Sequence, residues 1–287
     1  MVGVSTILAV CVTFLISMVL PIVVYIIYGV KNKGKGVWTA WLLGAAGFVI
    51  FQVIIRIPIL NGLAGLEGFQ TFATQNYALY CLILAFTAGL FEVAGRYIVA
   101  KIMQKNLTFE RGFAAGLGHG GIESIVLIGT MYLNNLIYII MINTGSFDTV
   151  IQQTAAAGVD TAALVSVQDA LVNSGCGVYL LAGYERILTM IFHTALSLMV
   201  CYFVTRKKDA LGIILCLICH TIIDFVSPLI NGMANGYLGN GLSTTTAYII
   251  IYSFLTVVAV VAVIGIVVLK KRFSVEDKNC ESSNRKM

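Results

Sequence analysis

Two short stretches place a histidine and an acidic residue one helical turn apart. "GLGHGGIES" carries His119 and Glu123, and "CHTIIDF" carries His220 and Asp224. Residues four apart share one face of a helix. An imidazole beside a carboxylate can take a proton from water or hold a zinc ion. The spacing therefore indicates proton-transfer or metal chemistry, provided that the two helices meet.

Five more ionisable residues lie in equally apolar sequence. Glu92 and Arg96 are four apart in "FEVAGRY", and Glu185, Arg186 and His193 lie in "ERILTMIFHTALS". Each charge at mid-bilayer costs about 2.5–3.5 kcal/mol on the most lenient scale, so these groups must face one another or enclosed water. At about 1.5 Å of rise per residue, the three histidines fall in one layer with Glu92, Glu123 and Asp224, about 12–22 Å below the cytoplasmic edge of the membrane. Such a layer indicates a functional site.

The composition places the chain in the membrane. Of its 287 residues, 59% are hydrophobic and 11% are charged, and the mean hydropathy is +0.94. Soluble domains carry about 25% charged residues. We predict an all-α bundle of seven membrane-spanning helices in the cell membrane. The predicted spans are about 5–29, 37–60, 76–103, 112–142, 177–204, 210–230 and 246–269.

Lysine and arginine are confined to alternate ends of these spans. Fifteen of the 18 basic residues fall in four clusters, and the loops at the opposite ends hold none. The clusters lie at residues 31–35, 101–111, 206–208 and 270–286. The positive-inside rule then predicts an N-terminus outside and a C-terminus in the cytoplasm. The net charge of +5 then comes from basic residues that lie beside the cytoplasmic lipid surface. It gives no reason to expect a nucleic-acid partner.

We predict a single transmembrane domain over residues 1–272, with its catalytic core at 76–230. The polar stretch 273–287 is predicted to be a disordered cytoplasmic tail. The CxxC formed by Cys216 and Cys219 lies within a span and is interpreted as packing.

Structural roles account for some of the buried charges. Arg96 is the natural ion-pair partner of Glu92, and Glu185 and Arg186 can pair near a span end. Arg56 lies close to the end of its predicted span and is expected to extend its guanidinium to the interface. Three histidines beside two acids at one depth are harder to explain as packing.

Familiar hydrolase signatures are missing: the chain has neither HExxH nor GxSxG. Glutamate, aspartate and histidine at one depth can activate water by general-base catalysis and stabilise an oxyanion. They can equally ligate zinc as His/His/Glu or His/His/Asp. The residues alone leave both chemistries open.

Four stretches in order resemble the motifs of the YhfC family, which is related to the PrsW proteases and the type II CAAX prenyl endopeptidases. They are "FEVAGRY", "GFAAGLGHGGIES", "ERILTMIFHTALS" and "HTIIDF". The resemblance covers the third to the sixth span. It implies an intramembrane peptidase of the glutamate type, once classed as a metalloprotease, that cleaves membrane proteins or peptides in the bilayer.

The resemblance also implies roles for single residues. It implies catalytic roles for Glu92, Glu123 and His193, and it places His220 and Asp224 on the oxyanion side. Arg96, His119, Glu185 and Arg186 are expected to support them. The second residue of the first motif, often a glutamate, is Val93 here. No cofactor is expected from the resemblance, although zinc is possible, and its ligands would then be His193, His220 and Glu123.

Two other functions fit the same residues. Chains of acids and histidines also form the proton relays of proton- or cation-coupled transporters. A catalytically silent membrane binding or immunity protein could use them to hold a ligand.

Overall fold

The polypeptide forms seven long apolar helices. A computed structural model describes residues 1–239 and 241–284, and in that part of the chain seven helices are long and apolar enough to cross a membrane. We number these helices as spans 1 to 7. They are Val4–Lys31, Val37–Ala64, Tyr77–Asn106, Phe109–Thr144, Cys176–Thr205, Asp209–Ala234 and Thr244–Ser274. The predicted all-α fold and the number of spans are confirmed, whereas the orientation of the termini stays a prediction.

Span ends differ from the sequence prediction by several residues. Span 2 continues to Ala64, and span 4 continues to Thr144, where Gly145 ends it in a left-handed conformation with φ 79°. The helix of span 7 runs on to Asn284. The disorder expected for residues 273–287 stays a prediction. Residues 285–287 lie outside the described residues.

Short helices occupy the stretches without lysine or arginine. They are Glu67–Gln75, Ser146–Ala156 and Ala162–Asn173. Phe147 and Leu171 of the last two are buried in one apolar cluster with Tyr132 and Ile139 of span 4. The last two helices are therefore anchored by buried side chains, whereas Glu67–Gln75 buries none.

The chain divides into two compact units. The single transmembrane domain over residues 1–272, with its catalytic core at 76–230, stays a prediction. Unit 1 comprises residues 1–24 and 123–187, and unit 2 comprises residues 25–122 and 188–287. Unit 1 is built on the apolar cluster just described. Unit 2 is built on a cluster of small and branched residues from spans 2 to 6, which includes Ala40, Val99, Ala115, Val200 and Cys216.

Glycines bring the backbones of unit 2 into direct contact. A Cβ at Gly118 of span 4 would collide with the carbonyl oxygen of Trp41 on span 2. A Cβ at Gly116 would lie 2.7 Å from Cα of Thr194 on span 5. Small residues permit this approach in membranes, where dispersion forces and hydrogen bonds hold helices together. The glycines around His119 therefore fix span 4 between spans 2 and 5.

We expect Gly118→Ala to lower the free energy of unfolding by about 1–3 kcal/mol. The new methyl group would overlap with backbone atoms of span 2, which cannot move aside as a side chain can. Thermal unfolding in detergent measures the effect. The matched control is Gly265→Ala in span 7, where a Cβ meets nothing within 4 Å. Equal stability of the two variants would show that this contact does not constrain the fold.

Candidate active site

The carboxylate of Glu92 on span 3 is the centre of the polar cluster. Its Oε2 atom lies 2.8 Å from Nε2 of His220 and 3.0 Å from Nε2 of His119. Arg96 donates to the same oxygen from Nη2 at 3.0 Å, and Nδ1 of His193 is 3.5 Å away. All five residues are at most 4% exposed. Side chains therefore replace water around this carboxylate.

Small residues on neighbouring spans make room for the imidazoles. A Cβ at Gly120 of span 4 would lie 2.9 Å from Cβ of His193 on span 5. A Cβ at Gly89 of span 3 would lie 3.4 Å from Cβ of His220 on span 6. The ring of Phe48 packs edge-on against His119, with centroids 5.3 Å apart. The structure thus brings together Glu92, Arg96 and all three histidines of the chain, from four spans as the sequence predicted.

The contact between Arg96 and His193 indicates which ring nitrogen of the imidazole accepts a hydrogen bond. Nη2 of Arg96 lies 2.6 Å from Nδ1 of His193. A guanidinium can only donate hydrogen bonds, so Nδ1 must accept, and the proton of the neutral ring is on Nε2. The Nε2–H group of His193 is therefore a hydrogen-bond donor.

His220 lies between two carboxylates. Its Nε2 contacts Glu92, and its Nδ1 is 3.2 Å from Oδ2 of Asp224, without the alignment of a hydrogen bond. The side chain of Asp224 is 35% exposed, whereas that of His220 is 1% exposed. The sequence correctly placed Asp224 beside His220, and its expected role in orienting the ring stays a prediction.

Gln52 and Arg56 of span 2, which were not predicted as site residues, form a chain of hydrogen bonds that ends at the other oxygen of Glu92. Gln52 donates from Nε2 to Oε1 at 2.6 Å. Arg56 donates from Nη1 to Oε1 of Gln52 at 3.3 Å, which points the amide nitrogen toward the carboxylate. Arg56 also donates to the Leu84 carbonyl oxygen and to Oγ1 of Thr87.

The interfacial role expected for Arg56 is therefore wrong. Span 2 ends at Ala64 rather than near residue 60, so Arg56 lies two turns inside the helix and bonds within the bundle. Gln52 and Arg56 belong to a π-helical stretch, Val49–Arg56. Such stretches are rare and often occur at functional sites. The sequence signal that was missed is an amide four residues before an arginine in an apolar span.

Ser197 on span 5 is another polar residue that the sequence analysis did not single out. Its Oγ accepts a hydrogen bond from Nε of Arg96 at 3.2 Å. It lies four residues after His193, on the same helical face. That spacing was the available signal.

The remaining predicted residues form an ionic group in unit 1. Nη2 of Arg186 lies 2.6 Å from Oε1 of Glu185, which is the pair expected from the sequence. Nη1 of Arg186 lies 3.5 Å from Oε1 of Glu123. The catalytic role expected for Glu123 stays a prediction.

A metal ion could use part of the cluster around Glu92. Glu92, His119 and His193 each offer a ligand atom, and these atoms lie within 4.8 Å of one another. Carboxylate and imidazole are ligands that zinc accepts. His220, which contacts the same carboxylate oxygen, could contribute a further nitrogen.

We expect Arg56→Met to lower the free energy of unfolding by about 1–3 kcal/mol, because Gln52 loses the donor that orients its amide and buried acceptors lose a partner. Arg56→Lys should be less damaging, since an ammonium group still donates. Thermal unfolding in detergent measures both.

Arg272→Met is the control for this prediction, because Arg272 is exposed. Its effect should be within about 0.5 kcal/mol. If Arg56→Met matched it, the hydrogen bonds of Arg56 would contribute nothing to the fold.

Comparison with known proteins agrees with the four-motif resemblance. The chain is 26% identical over 215 residues to "Uncharacterized membrane protein YhfC" of Bacillus subtilis (strain 168), which is 75% of this chain and 81% of that protein. No solved structure matches. The family model described as "YhfC intramembrane metalloprotease" matches residues 16–241. Since that match covers most of the 287 residues, the chain belongs to the YhfC family.

Proposed function

We propose that this protein is an intramembrane endopeptidase that hydrolyses peptide bonds of membrane-embedded or lipid-proximal substrates, with Glu92 as the base. The observation that carries the proposal is the buried carboxylate of Glu92, contacted by three imidazoles and a guanidinium inside a bundle of apolar spans. The description of the family as proteases favours a peptidase over a transporter.

In the proposed reaction, Glu92 takes a proton from water as the water oxygen bonds to the scissile carbonyl carbon. The proton is then delivered to the departing amine nitrogen. Water is consumed, and an amine and a carboxylic acid are formed.

The negative charge moves during this step from Glu92 to the carbonyl oxygen. Donors that held the carboxylate are then free to hold the oxyanion, and His220 is the donor we assign to it. Asp224 lies 3.2 Å from the other nitrogen of His220. Gln52 keeps Oε1 fixed, so that Oε2 is the oxygen that accepts the proton. Glu123 is retained as a second candidate acid, with Glu185 and Arg186 as its supporting pair.

The donor types of the cluster fit zinc, as the family description implies. A tetrahedral zinc separates its ligand atoms by about 3.3 Å. The imidazole nitrogens lie 2.8–3.5 Å from Oε2 of Glu92. A bound zinc would act as a Lewis acid toward the carbonyl oxygen and water.

The position of Arg96 does not fit a metal. Its Nη2 is 2.6 Å from Nδ1 of His193 and 3.0 Å from Oε2 of Glu92, so it occupies the side of the cluster that both ligands share. A dication ligated by both would lie within about 3 Å of the guanidinium, where repulsion in a low-dielectric interior is severe. We therefore propose a metal-free glutamate mechanism in which Arg96 is the cation.

We expect Glu92→Gln to lower kcat by at least about 10²–10⁴-fold, because the amide cannot accept the proton of water. The measurement is cleavage of a membrane-spanning peptide library by protein purified into liposomes, followed by mass spectrometry. Glu67→Gln, at an exposed glutamate, is the matched control and should cleave as wild type does. Wild-type turnover by Glu92→Gln would refute the assignment.

A second variant separates catalysis from folding. Glu92→Asp keeps the charge that Arg96 and the histidines surround, and so should insert and purify normally. Its carboxylate is withdrawn by about 1 Å, a displacement that can cost about 10²-fold in rate. A silent binding protein would show no cleavage in any of these forms, including the wild type.

We expect active protein to contain substoichiometric zinc and to keep its activity in a chelator, because Arg96 fills the position that a metal would need. Elemental analysis alongside the cleavage assay measures this. Arg96→Ala, which removes the guanidinium, should bind more zinc than wild type. Stoichiometric zinc that is lost with activity on chelation, and restored with it on refilling, would establish a metalloenzyme.

A further inference from the structure

A small cavity lies beside Arg96. Its polar walls are Arg96, His119 and Ser197, and Val99 and Cys201 are among its apolar walls. The volume open to the centre of a water molecule is about 10 Å³. That is close to the smallest volume that holds one water.

Arg96, which lines this cavity, has one donor atom without a protein acceptor among the described residues. Nη1 of Arg96 is buried, and among the described residues it has no hydrogen-bond partner. Nε and Nη2 of the same guanidinium are bonded to Ser197 and Glu92. A buried N–H of a charged group without an acceptor costs about 1–3 kcal/mol or more. A water in the cavity would accept from Nη1 and could donate to Ser197.

We propose that this cavity binds one water molecule, held by Arg96, and that it is the store from which the site draws the water consumed in hydrolysis. The second part rests on the proposed peptidase function. Two walls of the cavity, Arg96 and His119, also contact Oε2 of Glu92 directly. A water bound there therefore lies beside two of the side chains that contact the base.

The cavity lies on the lysine-bearing side of the cluster. Val99 follows Glu92 by seven residues on span 3, and Cys201 follows His193 by eight on span 5, in both cases toward the span ends rich in lysine and arginine. At about 1.5 Å per residue, this is a displacement of about 10–12 Å. Water reaching the site from that membrane surface would pass this position before Glu92.

Cys201 is a built-in reporter for the proposed water. Short X-ray pulses split bound water into hydroxyl radicals, which oxidise a thiol beside them to sulfinic and sulfonic acids. Cys201 is 2% exposed, and the matched controls Cys81 and Cys216, equally buried on spans 3 and 6, do not line the cavity. In wild-type protein in liposomes, we expect mass spectrometry to find Cys201 oxidised several-fold faster than either control. Oxidation of all three thiols at the same rate would overturn the water site.

A cavity-filling variant tests the supply of water. Val99→Ile adds a methylene to the wall, and Val200→Ile makes the same change in the same apolar cluster away from the cavity. Only Val99→Ile should lower Cys201 oxidation, and it should lower kcat several-fold with KM unchanged. Lost oxidation with normal kcat would overturn the supply role. If wild-type protein cleaves no peptide, the peptidase proposal fails, and the oxidation rates still decide the water site.

Discussion

A carboxylate buried among apolar helices has to be stabilised by other groups of the protein. In this chain the buried carboxylate is that of Glu92. One of its oxygens meets two imidazole nitrogens and a guanidinium at 2.8–3.0 Å, and the other receives an amide hydrogen bond at 2.6 Å. The partners come from spans 2, 3, 4 and 6. The need to compensate one charge therefore constrains how four helices are placed in unit 2.

The glycines of the bundle serve that same requirement. Imidazole and carboxylate groups reach one another only if the helices carrying them approach closely. Gly116, Gly118 and Gly120 allow span 4 to contact spans 2 and 5 backbone to backbone, and His119 projects from the middle of this run. Arg96 then connects span 3 to span 5 through Ser197 and His193. Close packing and the polar cluster are thus two aspects of one arrangement.

The sequence by itself determined the class of fold and most of the cluster. A hydrophobic run of about 20 residues is long enough to cross the bilayer, and a helix satisfies its backbone hydrogen bonds there. The seven spans were therefore predictable from length and composition. Charges are too costly to face lipid, which identified Glu92, Arg96 and the histidines as inward-facing. The i,i+4 spacing identified the Glu92–Arg96 pair, because neighbouring turns of one helix stay together whatever the rest of the chain does.

Only the tertiary structure decided which groups meet across helices. A π-helical stretch places Gln52 against Glu92 and Arg56 against Gln52, and no 3.6-residue periodicity predicts such a local change of face. The spacing pairs Arg96 with Glu92. The contacts of Arg96 with His193 and Ser197 depend on how span 5 packs, and span 5 packs against glycines of span 4. Contacts of this kind between distant residues follow from helix packing. The sequence shows which residues share one face of a helix, but the shapes of the helix surfaces decide which helices pack against that face.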